Sequence, residues 1–332
     1  MLDDLTGRLH SVCNLFYYGY RRNEWMLDAS RWICDFEDQE IDRPIFLLGT
    51  HGGGLTLVSR MIRRLEGVVS VSGNHHYWSG ADEMHVVLGP MLPFEFSGIR
   101  HKVPDHPKFS RHTSWLYATD ELIDQYRHTA EDVTPDLRVT LRHTLRWLLQ
   151  RHAIDPDTAR FTDKSQSFTV KVSFLNELLK DTDPRFVLIT RNPYAVCYRA
   201  PMKAGGMKRI RNENSFEQLL ELAAQHWSNS MESALEDQPD VNHFHTVRFE
   251  DILRRPEREM RRICEFADLS FDQDMIPHAH HQVPFGSRFR DRWYPLRPDV
   301  NEKYLSEISH EELEIVERYC GSLADRFGYE RP

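Results

Sequence analysis

A short apolar run, Ile45-Phe46-Leu47-Leu48, leads directly into six residues of which four are glycine, Gly49 to Gly54. No other feature constrains the fold of this chain as much. The run is of buried-strand type, and Pro44 ahead of it breaks the preceding pattern. Beyond the glycines, Leu55, Val58, Ile62 and Leu65 recur at helical spacing, with Arg60, Arg63 and Arg64 on the other face. Gly67 closes that helix, and Val68 to Val71 reads as a second strand. The unit is strand–loop–helix–strand, of the βαβ type, which commits the chain to a parallel sheet with its ligand at the carboxyl ends of the strands. The loop Gly49-Thr50-His51-Gly52-Gly53-Gly54-Leu55-Thr56 has the Gly-x4-Gly spacing of a phosphate-binding loop. Bare N–H groups at a helix N-terminus cradle an anion, and glycine lets the oxyanion approach closely. An NTPase loop would continue with Lys and then Ser or Thr. Here the Lys position is Leu55, while Thr56 keeps its hydroxyl, so hydrolysis of ATP or GTP is disfavoured.

The rest of the chain repeats the alternation. A long helical stretch is predicted from about Asp120 to Arg151, a helix over Phe168 to Leu179, and a strand over Arg185 to Thr190. Helices at Phe216–Leu235 and Glu257–Ala267 flank a strand at His245–Phe249, and an amphipathic helix at Glu311–Phe327 ends the chain. Trp227 fits a core helix. Strands alternating with helices give an α/β fold: a P-loop-type three-layer arrangement with a central parallel sheet flanked by helices. Residues 1–43, rich in charged and aromatic residues, read as an N-terminal helical extension, and 44–332 as one α/β domain.

Charge sharpens the ligand. The 332 residues carry a formal net charge of −9, which argues against non-specific nucleic-acid or membrane binding. Yet 34 of the 42 basic residues are arginine, the better bidentate partner for oxyanions. Two islands nearly free of acids stand out. Arg191, Arg199, Lys203, Lys208, Arg209 and Arg211 follow the Phe186–Thr190 run, and Arg288, Arg290, Arg292 and Arg297 interleave with Phe289, Trp293 and Tyr294. A strand that delivers Arg191 at its carboxyl end places a guanidinium at the ligand edge of the sheet. Five scattered cysteines without a CxxC pair indicate neither a disulfide framework nor a zinc ribbon. The polar start MLDDLTGRLH lacks signal-peptide character and the apolar runs are too short to span a bilayer, so a cytoplasmic protein is expected. His278, His280 and His281 lie close in sequence, but no further ligand motif completes a zinc set, and no metal is expected.

The string PIFLLGTHGGGLTLVSRMI resembles the 5′-phosphosulfate loop of sulfotransferases that use 3′-phosphoadenosine 5′-phosphosulfate. RFVLITRNPYAVCYR is similar to their 3′-phosphate segment, and VRFEDILRRPEREMRRICEFADL to a downstream strand–helix block. The likeness runs from about Pro44 to the C-terminus and is strongest to the bacterial and carbohydrate-type branch. It implies a sulfotransferase with His51, Gly52, Gly53, Gly54, Leu55, Thr56, Arg191, Arg199, Arg288 and Arg290 on the donor. The acceptor is expected to be a carbohydrate or another small polar metabolite. Lys164, in Thr162-Asp163-Lys164-Ser165, resembles the segment that binds the transferring sulfonate or the acceptor. The general base is expected on the loop after the second strand, at His75, His76 or Glu83. Two departures stand out: the family commonly has a basic residue where Gly52 stands, and a Ser where Arg199 stands. The alternatives are a P-loop nucleotide kinase or phosphotransferase, and a relative that binds the cofactor without turnover.

Overall fold

The computed structural model describes residues 26–73, 82–89, 91–97, 116–203, 207, 210–278 and 296–332, with isolated positions between 12 and 24. Five strands form one sheet in which every pairing is parallel: β1 (Ile45–Leu48), β2 (Val68–Val69), β3 (Arg160–Asp163), β4 (Arg185–Thr190) and β5 (Phe244–Arg248). Their spatial order is β2-β3-β1-β4-β5. The chain leaves β1 for one side of the sheet and later returns on the other, so β1 lies at the switch point where α/β sheets place their ligand. Ile45 to Leu48 pair in register with Arg185 to Leu188, which brings the loop after β1 beside the end of β4.

Both faces of the sheet are covered, and the alternation along β1 shows it. Phe46 and Leu48 enter one core with Phe168, Phe186 and Trp227; Phe46 and Phe186 stack at 5.6 Å. Ile45 and Leu47 enter the other core with Val58, Ile62, Ile252 and Ile263. Helices Pro135–His152, Val172–Leu179, Pro193–Lys203, Phe216–Asp237 and His310–Arg326 supply the first layer; Leu55–Ile62, Phe249–Arg254 and Pro256–Phe266 supply the second.

Several predicted boundaries move. The stretch from Asp120 to Arg151 is not one helix: a turn of helix at Ile123–Tyr126 and a 3-10 turn at Ala130–Asp132 precede the helix Pro135–His152. Thr134 caps that helix by accepting from Leu137 N–H at 3.3 Å, and Pro135, which no interior position tolerates, takes its first turn. Phe168–Leu179 likewise divides into a 3-10 turn at Gln166–Val170 and a helix beginning at Val172. β3 is a strand that the apolar pattern did not reveal.

Candidate active site

The glycine loop turns from β1 into the helix Leu55–Ile62. Gly54 caps the helix with φ +103°, a conformation that L side chains rarely adopt, and a Cβ there would lie 2.2 Å from the Phe249 ring. Gly53 N–H donates to the Thr50 carbonyl at 2.9 Å, and Gly49 N–H to Thr169 Oγ1 at 2.7 Å, which closes and anchors the loop. Leu55 is buried in the core at 3% exposure, while Thr56 is exposed on the first helical turn. The kinase alternative needs a lysine at position 55, and the side chain there is an apolar core residue.

Arg191 follows β4 and is buried. Its Nη1 donates to the Gly52 carbonyl at 2.6 Å, and its Nε and Nη2 donate to Asn301 Oδ1 at 2.9 and 2.6 Å. Asn301 in turn donates to Glu250 Oε1 at 2.6 Å, Asn192 N–H donates to the same oxygen at 3.0 Å, and Tyr329 OH donates to Oε2 at 3.1 Å. Trp227 Nε1–H donates to the Arg191 carbonyl at 3.2 Å. Burial first, and then the nearby Arg199 charge, pull the Arg191 guanidinium down to about 10, still cationic at neutral pH. The strand-end arginine therefore fixes the loop backbone as well as bringing charge to it. Sequence reasoning missed Asn301, Glu250 and Tyr329; Glu250 was visible only as part of the VRFEDIL block.

Arg199 lies on the helix Pro193–Lys203 and reaches back over the loop. A Cβ on Gly52, whose φ is +81°, would stand 2.8 Å from Arg199 Nη1 and 3.3 Å from Val196 Cγ2. The two departures from the family pattern thus meet in space.

A second cluster forms where β3 ends. Lys164, 2% exposed, is ion-paired to Asp82 Oδ1 at 2.9 Å and to Glu83 Oε1 at 2.8 Å. Asp82 Oδ2 also faces Arg63 Nη1 at 3.4 Å, and Glu83 Oε2 faces His85 Nε2 at 3.5 Å. The His85 ring shares a 2.9 Å hydrogen bond with Ser167 Oγ. Backbone contacts hold the segment in place: Met84 N–H donates to Asp163 Oδ1 at 2.8 Å and His85 N–H to Ser165 Oγ at 3.1 Å. Burial alone would push the Lys164 ammonium down, but Asp82 and Glu83 outweigh it and hold Lys164 well above its ordinary value. Burial would push the Glu83 carboxyl up, yet Lys164 and His85 together hold it well below the usual carboxylate range. Lys164 and Glu83, two separate predictions, are thus one ion pair, and Asp82 and His85 are additions the sequence did not single out.

His51 connects the two clusters. Burial, followed by the Arg199 and Lys164 charges, lowers its imidazole to about 4, with Glu83 opposing. It is neutral at pH 7 and lines a small, mainly apolar pocket with Thr50, Val196, Met207, His226 and Trp227. His75 and His76, Arg288 and Arg290, and His280 and His281 lie outside the described residues. No helix among the described residues is long and apolar enough to cross a membrane.

A profile of the sulfotransferase family matches residues 44–273. The omega-hydroxy-beta-dihydromenaquinone-9 sulfotransferases Stf3 of Mycobacterium bovis and Mycobacterium tuberculosis are each 21% identical to this chain over 316 residues, spanning 87% of it and 76% of their own length. In fold, the chain is similar to the sulfotransferase domain from the Synechococcus PCC 7002 olefin synthase, with a TM-score of 0.50, 20% identity, and 89% of this chain and 97% of that one covered. It is also similar to the sulfotransferase domain from the curacin biosynthetic pathway, with a TM-score of 0.50, 15% identity, and coverage of 88% and 100%. A parallel sheet with a glycine loop at its switch point, an arginine-braced loop backbone and a family match over more than two thirds of the sequence converge: this chain belongs to the sulfotransferase family and is a sulfotransferase.

Proposed function

We propose that the chain moves a sulfuryl group from 3′-phosphoadenosine 5′-phosphosulfate to an acceptor hydroxyl and releases adenosine 3′,5′-bisphosphate. The observation that carries this reading is the glycine loop at the end of β1, braced by Arg191 through the Gly52 carbonyl and overlain by Arg199. The donor supplies an activated sulfur–oxygen bond; the chain supplies position and charge. The N–H groups of Gly52 and of Gly54 to Thr56, with His51 and the Thr56 hydroxyl beside them, cradle the phosphosulfate end, while Gly53 N–H closes the loop on Thr50 and Leu55 anchors it in the core. Arg191 braces the cradle through the Gly52 carbonyl. Arg288 and Arg290 are assigned to the same polyanion. Lys164, held cationic, faces the sulfonate as it moves. The bond from sulfur to the phosphate oxygen breaks with its electron pair left on phosphate, a bond forms to the acceptor oxygen, and the hydroxyl proton passes to a base.

Glu83 is the candidate base that stands beside Lys164, and the ion pair that keeps its carboxylate ionised also weakens it as a proton acceptor. His75 and His76 are the other candidates. The pH profile of turnover separates them. With Glu83 as base, kcat is expected to stay level from pH 8 to pH 5; a limb near pH 6.5 would assign the step to His75 or His76. Glu83→Gln is expected to lower kcat by about 10²–10⁴-fold while bisphosphate binding persists. The omega-hydroxy-beta-dihydromenaquinone-9 acceptor named for the Stf3 relatives supports, as a second acceptor class, an alcohol on a partly apolar skeleton. The sugar acceptor expected from the sequence rested on the likeness to the carbohydrate-type branch and on a mixed aromatic and basic lining from 73–115, Lys203–Arg211 and Arg288–Arg297, much of which lies outside the described residues. A panel of labelled acceptors of both kinds distinguishes the two.

A further inference from the structure

The cations of the site differ in what holds them. Lys164 is paired with Asp82 and Glu83, Arg63 faces Asp82, and Arg191 gives three of its N–H groups to Asn301 and the Gly52 carbonyl. Among the described residues, no carboxylate pairs with Arg199 and no carbonyl accepts from it. It lies six residues into the Pro193–Lys203 helix, about 9 Å along the axis from its start, so its side chain returns toward the loop. There its Nη1 occupies the space that a side chain at position 52 would need, and position 52 is a glycine in a positive-φ conformation. Its charge lowers both His51 and Arg191, which places it between the loop and the strand-end arginine. A half-buried guanidinium with five donors, no partner among the described residues and its Nη1 against Gly52 of the loop is built to meet an oxyanion.

We propose that Arg199 supplies the side-chain charge of the glycine loop and contacts the 5′-phosphate end of the donor, while Arg191 is the positioning residue that holds the loop. This inference rests on the donor assignment made above. When the sulfur–oxygen bond breaks, the electron pair stays on the 5′-phosphate, and Arg199 is the cation placed to neutralise the added charge. Gly52 and Arg199 form one exchange: the loop carries no basic side chain because the next helix brings one to the same place.

Calorimetry with three ligands tests the assignment: adenosine 3′,5′-bisphosphate, adenosine 5′-monophosphate and adenosine 3′-monophosphate, each titrated into the unmodified chain, Arg199→Gln and Arg199→Lys. One charge-assisted contact is worth about 1.5–3 kcal/mol, or about ten- to a hundredfold in affinity. Arg199→Gln is expected to lose that much for both ligands that carry a 5′-phosphate and less than about twofold for the 3′-monophosphate, with Arg199→Lys between. Equal affinities in all variants would overturn the assignment. So would a loss seen with the 3′-monophosphate, which would move Arg199 to the other end of the ligand. A Lys variant no better than Gln would also count against it. If the unmodified chain bound none of the three ligands, the donor reading itself would fail, a result distinct from any pattern among the variants.

Discussion

At His226 the Nδ1 atom accepts the Ala118 N–H at 3.4 Å, and the ring meets Tyr117 edge-on at 4.6 Å. Burial, with a smaller push from His51, lowers this imidazole to about 3. With Nδ1 accepting, the proton of the neutral ring sits on Nε2, which is buried with no hydrogen-bond partner among the described residues. A histidine kept neutral in the fold titrates in the unfolded chain first. As pH falls below about 6.5 the unfolded state gains a proton that the folded state does not, so stability drops with falling pH until the folded value is reached. Between pH 7 and pH 5 the loss from His226 is expected to be about 2 kcal/mol. Urea unfolding at the two pH values measures it. His226→Asn, which keeps an acceptor for Ala118, is expected to reduce the acid loss by about 2 kcal/mol, the remainder coming from His51 and His128, which burial also lowers to about 4. The same acid sensitivity in both proteins would count against the buried neutral ring. Arg191 shows how burial also changes a role. From the sequence it is a phosphate ligand, but in the fold three of its N–H groups hold Asn301 and Gly52, so its removal is expected to loosen the loop as well as the ligand.

Among the elements, the strand–loop–helix at 45–62 shows the closest match between pattern and structure. β1 and β4 are continuous apolar runs because both of their faces are buried, and the glycines after β1 are needed for backbone geometry. Gly54→Ala would place a methyl into the Phe249 ring while forcing φ +103° on a residue with a Cβ. Strain and overpacking together are expected to cost about 3 kcal/mol, read as a lower urea midpoint. An unchanged midpoint would show that the cap is not as tight as the geometry requires. β3 was illegible for a specific reason. Its sequence Arg160-Phe161-Thr162-Asp163 has one large apolar residue, and its polar ends are satisfied largely by distant chain. Arg160 donates to the carbonyls of Asp42 and Ala267, and Asp163 accepts from Met84 N–H and Ser165 N–H. Except for Ser165, these partners lie 79 to 118 residues away, and no local pattern announces them. The helix expected to run from Asp120 failed for the opposite reason: Thr134-Pro135 is a visible start signal, overlooked beneath a run of helix formers. The Lys164–Glu83 pair lies between these cases, since both residues were legible as chemistry but only the β3 placement makes them neighbours.

Across the whole molecule, a net charge of −9 coexists with a site that concentrates cations. The acids nearest to the site are spent on holding them: Asp82 and Glu83 hold Lys164, and Glu250 holds Asn301 behind Arg191. On the proposed reading, the donor meets the glycine loop with Arg199 over it, a setting matched to a small, multiply charged anion. The order β2-β3-β1-β4-β5 is what makes this possible, since it sets the ends of β1 and β4 side by side at the switch point. A ligand bound there holds the loop, the β4 end and the C-terminal Asn301–Tyr329 network in one arrangement, so its binding is expected to stabilise the whole domain. Thermal unfolding with adenosine 3′,5′-bisphosphate, set against ATP with magnesium, is the most direct test that this sulfotransferase draws on a 3′-phosphoadenosine donor. The bisphosphate at a hundredfold excess over its dissociation constant is expected to add about 2.7 kcal/mol of stability, visible as a raised midpoint, with little effect from ATP and magnesium. Stabilisation by ATP and magnesium alone, with none from the bisphosphate, would contradict it.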